Sequence, residues 1–249
     1  MAVRRETTGG YTPSEKHVVM TAANYEPDMA GSAIIYCHGA GGNGFIDGAD
    51  IRTDLRRYAD QGHVVHAGLI GGNYTWGNAA SVSAVDAILD YLEASYGADI
   101  SAPMFVADSH GASIAINWGI RNASQLGRAI LRVPAISLKT IHDTNVAGLA
   151  ANMEAAYTNL AGLVAAYPTR DANHPTFQAL VISSGLVPKL RIYYNAADPI
   201  INPVDVLAFS TATGVVAEEM GGPSHAPWGY FDIDEQYQWL MNQEVPTWP

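Results

Sequence analysis

Ser109 stands between two runs of different character. Before it, Pro103-Met104-Phe105-Val106-Ala107-Asp108 reads as a buried strand; after it, His110-Gly111-Ala112-Ser113 opens a helical pattern. A serine on so sharp a strand-to-helix turn is held in a strained conformation, and its neighbours two residues away must be small. Ala107 and Gly111 meet that need. The usual form has glycine at both places, and alanine at the first still avoids the clash. A serine presented this way could attack a carbonyl carbon. The helix that starts beside it offers free N–H groups and a positive dipole end to a developing negative charge. The plainer alternative is a serine that only caps a helix.

Acyl transfer would need three further parts, and each has a candidate. Two N–H donors must bind the oxyanion. One would be the amide of His110. The other would come from the glycine-rich loop after the apolar run 33–37, His38-Gly39-Ala40-Gly41-Gly42-Asn43-Gly44, with Ala40 first and Gly41 next. A carboxylate must orient the base. Asp198 stands in Asn195-Ala196-Ala197-Asp198-Pro199-Ile200-Ile201-Asn202-Pro203, a turn fixed by two prolines; Asp143 is its rival, and Asp-Pro is also an ordinary turn pair. The base itself would be His225, in Gly221-Gly222-Pro223-Ser224-His225-Ala226-Pro227-Trp228, a loop near the end of the chain.

Other readings of these residues are weaker. Gly39, Gly41 and Gly44 fit a dinucleotide-binding spacing, but no clear acidic residue ends the next apolar run, and the lysine of a phosphate loop is absent. His38 opens the glycine loop and would buttress it; His17, His63 and His66 lie on or beside strands, His110 faces away from the serine, and His142 and His174 fall further along. No His, Cys or carboxylate pair has metal-ligand spacing, so neither a metal nor a cofactor is expected.

Elements able to position such residues can be read from periodicity. Strands are expected at 17–21, 33–37, 63–70, 104–107, 129–136, 190–194 and 215–219. Several are continuous in apolar, β-branched residues, as in parallel strands covered on both faces. Helices are expected at 50–61, 79–96 with Gly97 as its stop, 110–121, 203–213 and 231–241. The opening residues through Tyr11 are expected to fray. Segment 137–189 breaks the alternation. It is too long for an ordinary connection and reads as a helical insertion, either lying over one end of the sheet or adding core helices. Met153 and Tyr157 within it could line an acyl pocket or pack into the core, and Trp76 could edge that pocket or pin its own loop. The expectation is one doubly wound α/β domain over 1–249, with a cap-like insertion at about 137–189. In such a sheet, sites lie beyond the carboxyl ends of strands, where all four runs above fall.

Bulk properties narrow the partners. Of 249 residues, 48% are hydrophobic and 15% charged, enough for a large core and too little charge for a disordered chain. A formal charge of -11 repels phosphate backbones and anionic lipid, so nucleic-acid binding is not expected. The same acidity could serve solubility alone. Cys37 is the single cysteine, which rules out an internal disulfide. No secretory leader and no bilayer-length apolar run can be read, so synthesis in the cytoplasm is expected.

The order oxyanion loop, Ser, Asp, His, each just past a strand, is that of the α/β-hydrolases. Through HGAGG at 38–42, ADSHG at 107–111, NAADPIINP at 195–203 and GGPSHAPW at 221–228, the chain from Ala33 onward resembles α/β-hydrolases of the esterase and lipase type. The resemblance implies a nucleophile at Ser109, an acid at Asp198, a base at His225 and a small-molecule ester substrate. Peptidases, amidases and thioesterases share that machinery, and some relatives keep the fold as non-catalytic modules.

Overall fold

In the computed structural model, residues 2–6, 17–29, 31–41, 53–222, 225 and 231–241 are described. Among the described residues, eight strands form one sheet in the order β1-β2-β4-β3-β5-β6-β7-β8. These are β1 (Ala2–Glu6), β2 (His17–Thr21), β3 (Ser32–Cys37), β4 (Val64–His66), β5 (Asp99–Asp108), β6 (Ala129–Arg132), β7 (Leu190–Tyr194) and β8 (Val216–Glu219). β1 and β2 run antiparallel, and from β4 to β8 every pairing is parallel. Neighbouring residues of one strand feed opposite faces. Ile35, Cys37, Phe105 and Ala107 join one buried cluster, while Ile34, Tyr36, Met104 and Val106 join the other. Both faces are therefore apolar, and helices must cover both.

On the first face lie α2 (Ala79–Tyr96) and α3 (Gly111–Arg121); on the second, α1 (Thr53–Asp60) and α9 (Ile233–Leu240). Asn78 caps α2, accepting from the Ser81 amide, and Gly97 ends it in the left-handed region at φ 62. Between β6 and β7 the chain forms α4 (Leu138–Asp143), α5 (Ala150–Ala156), α6 (Leu160–Arg170) and α7 (Pro175–Ser183). α8 (Pro203–Thr213) starts on a proline, which is suited to the first helical turn. Among the described residues no helix is long and apolar enough to cross a membrane.

Several expected boundaries move, each for a local reason. The opening segment is not wholly frayed: Ala2–Glu6 pairs antiparallel with β2. The strand expected at 63–70 stops at His66, after which the Ala67 amide turns to the Val18 carbonyl. The strand expected at 129–136 stops at Arg132, because Val133 takes a φ of 41 and Pro134 follows. β5 is longer than the apolar run suggests, since Asp99 already pairs with Ser32. The first helix begins at Thr53, its expected start at 50–52 lying outside the described residues, and the last runs from Ile233 to Leu240.

Arg132, fully buried at the end of β6, ties three elements together. Its guanidinium pairs with Asp54 of α1, donates to Gln236 of α9 (Nε–Oε1 2.8 Å) and lies over the Phe231 ring at 4.5 Å. Asp108 stands 4.0 Å away and accepts from the Tyr36 hydroxyl (2.6 Å). Removing one member of a buried ion pair leaves its partner's charge uncompensated, which costs about 3–5 kcal/mol. Arg132→Met should therefore lower unfolding free energy by roughly 3 kcal/mol in urea denaturation. A change below about 1 kcal/mol would mean that Asp54 is neutralised some other way.

Candidate active site

The sheet reverses its winding between β3 and β5: from β3 the chain moves one way to β4, and from β5 it moves the other way to β6, β7 and β8. A crevice opens at the carboxyl ends of the strands at such a point. Ser109 follows β5 there, and the Gly39–Ala40 peptide follows β3.

Ser109 has φ 51, in the left-handed region. A non-glycine residue there is strained, at a cost of about 1–3 kcal/mol, and persists only where the surroundings over-determine it. Three hydrogen bonds do so. The Ser109 amide donates to the Arg132 carbonyl (2.9 Å), and the Ser109 carbonyl accepts from the amides of Ala112 (3.1 Å) and Ala135 (2.9 Å). Gly111 has no side chain because a Cβ there would run into the carbonyl of Cys37 in β3. The need for smallness two residues on is thus a matter of strand–helix contact.

The other members come from distant turns. Asp198 lies in the turn after β7, its side chain 2% exposed. Its Oδ1 accepts from the amides of Ile200 (2.7 Å) and Ile201 (2.9 Å), which leaves Oδ2 for the Nδ1 of His225 at 2.7 Å. The Nε2 of His225 is 2.9 Å from the Ser109 Oγ. With Nδ1 protonated toward the carboxylate, Nε2 accepts from the hydroxyl; this tautomer follows from the hydrogen-bond network. Asp143, the rival acid, is elsewhere: it ends α4 and pairs with Lys139 and His142. Pro223, Ser224 and 226–228 of the histidine loop, and 42–44 of the glycine loop, lie outside the described residues.

For the oxyanion donors, the structure separates the two loop candidates. The Gly41 amide is already committed to the Asn73 carbonyl (3.1 Å), so Gly41 is displaced as a donor. Among the described residues, the amides of Ala40 and His110 meet no acceptor. His38 Nδ1 sits 2.7 Å from the Gly39 carbonyl. Because the peptide is planar and trans, anchoring that carbonyl turns the Ala40 N–H the opposite way.

A cavity of about 380 Å³ opens over Ser109, lined by Gly39, Ala40, Ala147, Leu149, Ile200 and His225 among others. Ala147 and Leu149 belong to the connection between α4 and α5, where Asn145 and Ala147 also have positive φ (45 and 52). The expected lining residues are placed differently. Met153 is fully buried in the core; Trp76, also buried, packs edge-on against the His110 ring at 5.3 Å. The Tyr157 hydroxyl donates to the Trp76 carbonyl (2.7 Å) and so holds that loop. None of the three is among the residues that line the cavity: Met153 and Trp76 are buried in the core, and the Tyr157 hydroxyl is spent on the Trp76 carbonyl. Ile200, Ala147 and Leu149 were not expected. Only the position of Ile200, two residues past the acid, could have pointed to it. Among the described residues no cluster of three His, Cys, Asp or Glu could hold a metal ion.

Beneath the serine, the His110 ring is wholly buried with the His38 ring 5.4 Å away. Burial, then the His38 neighbour, pushes the His110 imidazole down to about 3, and burial also lowers His38. A folded-state value below the unfolded one means that the unfolded chain takes up the proton first. Stability is then lost as pH falls below about 6.5, at up to ~1.4 kcal/mol per pH unit from His110, down to its folded value. His110→Phe should flatten the fall of Tm between about pH 6.5 and pH 4.5. An unchanged slope would show that His110 does not carry it.

No family model matches the chain, and no curated protein does. Solved structures do. The chain is similar to the S-formylglutathione hydrolase FrmB of Staphylococcus aureus, with TM-score 0.70 at 14% identity, covering 97% of this chain and 100% of that one. It is also similar to FphF, a fluorophosphonate-binding serine hydrolase of the same organism (TM-score 0.72, 13% identity, 97% and 98% covered). Puromycin hydrolase aligns over 99% of this chain (TM-score 0.66, 14% identity), but the chain spans only 40% of its length. Likenesses at such low identity speak to the fold, and the winding of the sheet agrees with them: the chain has the α/β-hydrolase fold.

Proposed function

We propose that this protein is a serine hydrolase that cleaves small carboxylic esters through an acyl-enzyme on Ser109. The observation that carries the reading is the hydrogen-bonded line from Ser109 Oγ to His225 (2.9 Å) and on to Asp198 (2.7 Å). His225 Nε2 takes the hydroxyl proton as Oγ attacks the ester carbonyl, and then delivers it to the leaving alcohol. Asp198, already satisfied at Oδ1 by two amides, steadies the imidazolium through Oδ2. The amides of His110 and Ala40 receive the oxyanion; losing one such donor typically costs about 3 kcal/mol. Water then attacks the acyl-enzyme, with His225 again the base.

An ester with a short acyl chain is favoured by the cavity over Ser109, about 380 Å³ with Ala147, Leu149 and Ile200 as apolar wall. In this reading the segment from α4 to α7 acts as a cap, since Ala147 and Leu149 come from its connection between α4 and α5.

The test is hydrolysis of p-nitrophenyl esters of graded chain length. Acetate or butyrate should be cleaved fastest, and an optimum at long chains would contradict the pocket assignment. A p-nitroanilide series run beside it should be slower; the reverse would make the protein an amidase or peptidase. Ser109→Ala and His225→Ala should each remove roughly 10⁴-fold or more of kcat, and the double variant little beyond that, because the two act as one unit. Losses that multiply would show two residues working apart.

A further inference from the structure

Two cavities meet at one side chain. The cavity over Ser109 has Ile200 in its wall. A second cavity, about 310 Å³, lies between α4 and the start of α8, where Ile141, Thr144, Pro199, Ile201 and again Ile200 line it. Among the described residues Ile200 is the one that borders both. The connection from α4 to α5 also runs along both, with Thr144 at the second and Ala147 and Leu149 at the first.

The turn of the acid explains why Ile200 stands there. Its amide and that of Ile201 donate to Asp198 Oδ1 (2.7 and 2.9 Å), so the backbone that holds the carboxylate also fixes where the two isoleucines begin. Ile201 turns into the core and is 6% exposed, whereas Ile200 is only partly buried against that core. Its side chain is thus left at the border of the two spaces. An isoleucine is branched at Cβ and stiff at χ1, so it cannot swing aside as an unbranched chain could. Beyond it, Ile141, Pro199 and Ile201 offer apolar surface on which an alkyl tail could rest.

We propose that Ile200 sets the acyl-length limit of the ester site: its side chain is the partition at which a short acyl chain stops, and the second cavity is the room a longer chain enters once the partition is trimmed. The inference rests on the ester reading above and names the residue that decides its substrate range.

The test compares kcat/KM for p-nitrophenyl acetate, butyrate, hexanoate and octanoate on the whole protein. One methylene that does not fit an apolar pocket is worth about tenfold or more in kcat/KM. Ile200→Ala, which keeps both amides on Asp198, should therefore raise the hexanoate-to-acetate ratio at least about tenfold over wild type. Ile200→Phe should lower the butyrate-to-acetate ratio by about as much. Ile200→Val, one methyl smaller, should move the ratio the same way as alanine by a lesser amount, and serves if the alanine variant folds poorly. Thr144→Trp added to Ile200→Ala fills the second cavity from an exposed position and should return the ratio toward wild type. Acetates of graded alcohol length should show no such shift. The proposal is overturned by an acyl profile that stays the same in the folded Ile200 variants, by a gain that survives Thr144→Trp, or by a shift that follows the alcohol instead. A wild type that cleaves no ester overturns the ester reading and this inference with it; ester cleavage with unchanged Ile200 profiles overturns this inference alone.

Discussion

The backbone of Ser109 sits in the left-handed region, where an alcohol-bearing residue is unwelcome, and the surrounding architecture is arranged to keep it there. The amide of Ser109 is drawn toward β6 through the Arg132 carbonyl, and its carbonyl is drawn toward Ala112 and Ala135. β3 comes so close that residue 111 can carry no side chain. The strain has a purpose in the geometry. It lifts the hydroxyl clear of the strand toward His225, and among the described residues the next amide, at His110, meets no backbone acceptor. If the turn relaxed, the hydroxyl and the amide would move together, and no change elsewhere could restore both.

Electrostatics around the turn follow one rule: charge is either matched or absent. Behind the sheet end, the buried guanidinium of Arg132 is matched by Asp54 and neighboured by Asp108. Beneath the serine the two imidazoles of His38 and His110 are kept neutral by burial. A cation there would pull on Asp198 and compete with the imidazolium that the proposed reaction must form at His225. The neutral pair instead serves as shape: His38 anchors the Gly39 carbonyl, and His110 gives Trp76 a surface to rest on.

Where the sequence could be read, it was because a local rule left a local mark. Small residues flank Ser109, prolines bracket the turn of Asp198, and apolar β-branched runs mark β3, β5, β6 and β7. These marks placed the sheet, the covering helices and the hydrogen-bonded line. What stayed hidden depends on partners far along the chain. That Gly41 is spent on Asn73 cannot be seen from either residue. Met153 and Leu149 have similar hydrophobicity, and only the packing of α5 decides which is core and which faces the cavity. Arg132 falls inside the strand expected at 129–136; its burial is matched by Asp54 and Gln236, from helices far away in the chain on either side. Val133 in a left-handed conformation breaks the preference of a β-branched residue, and it shortened a strand that periodicity had lengthened.

The central claim is that Ser109 is an activated nucleophile. It is tested most directly by treating the folded protein with a fluorophosphonate and locating the adduct by peptide mass spectrometry. The account predicts rapid, stoichiometric modification at Ser109, and none in Ser109→Ala or, within the same time, in His225→Ala. An unmodified Ser109 in folded protein, or an adduct on another residue, would contradict it.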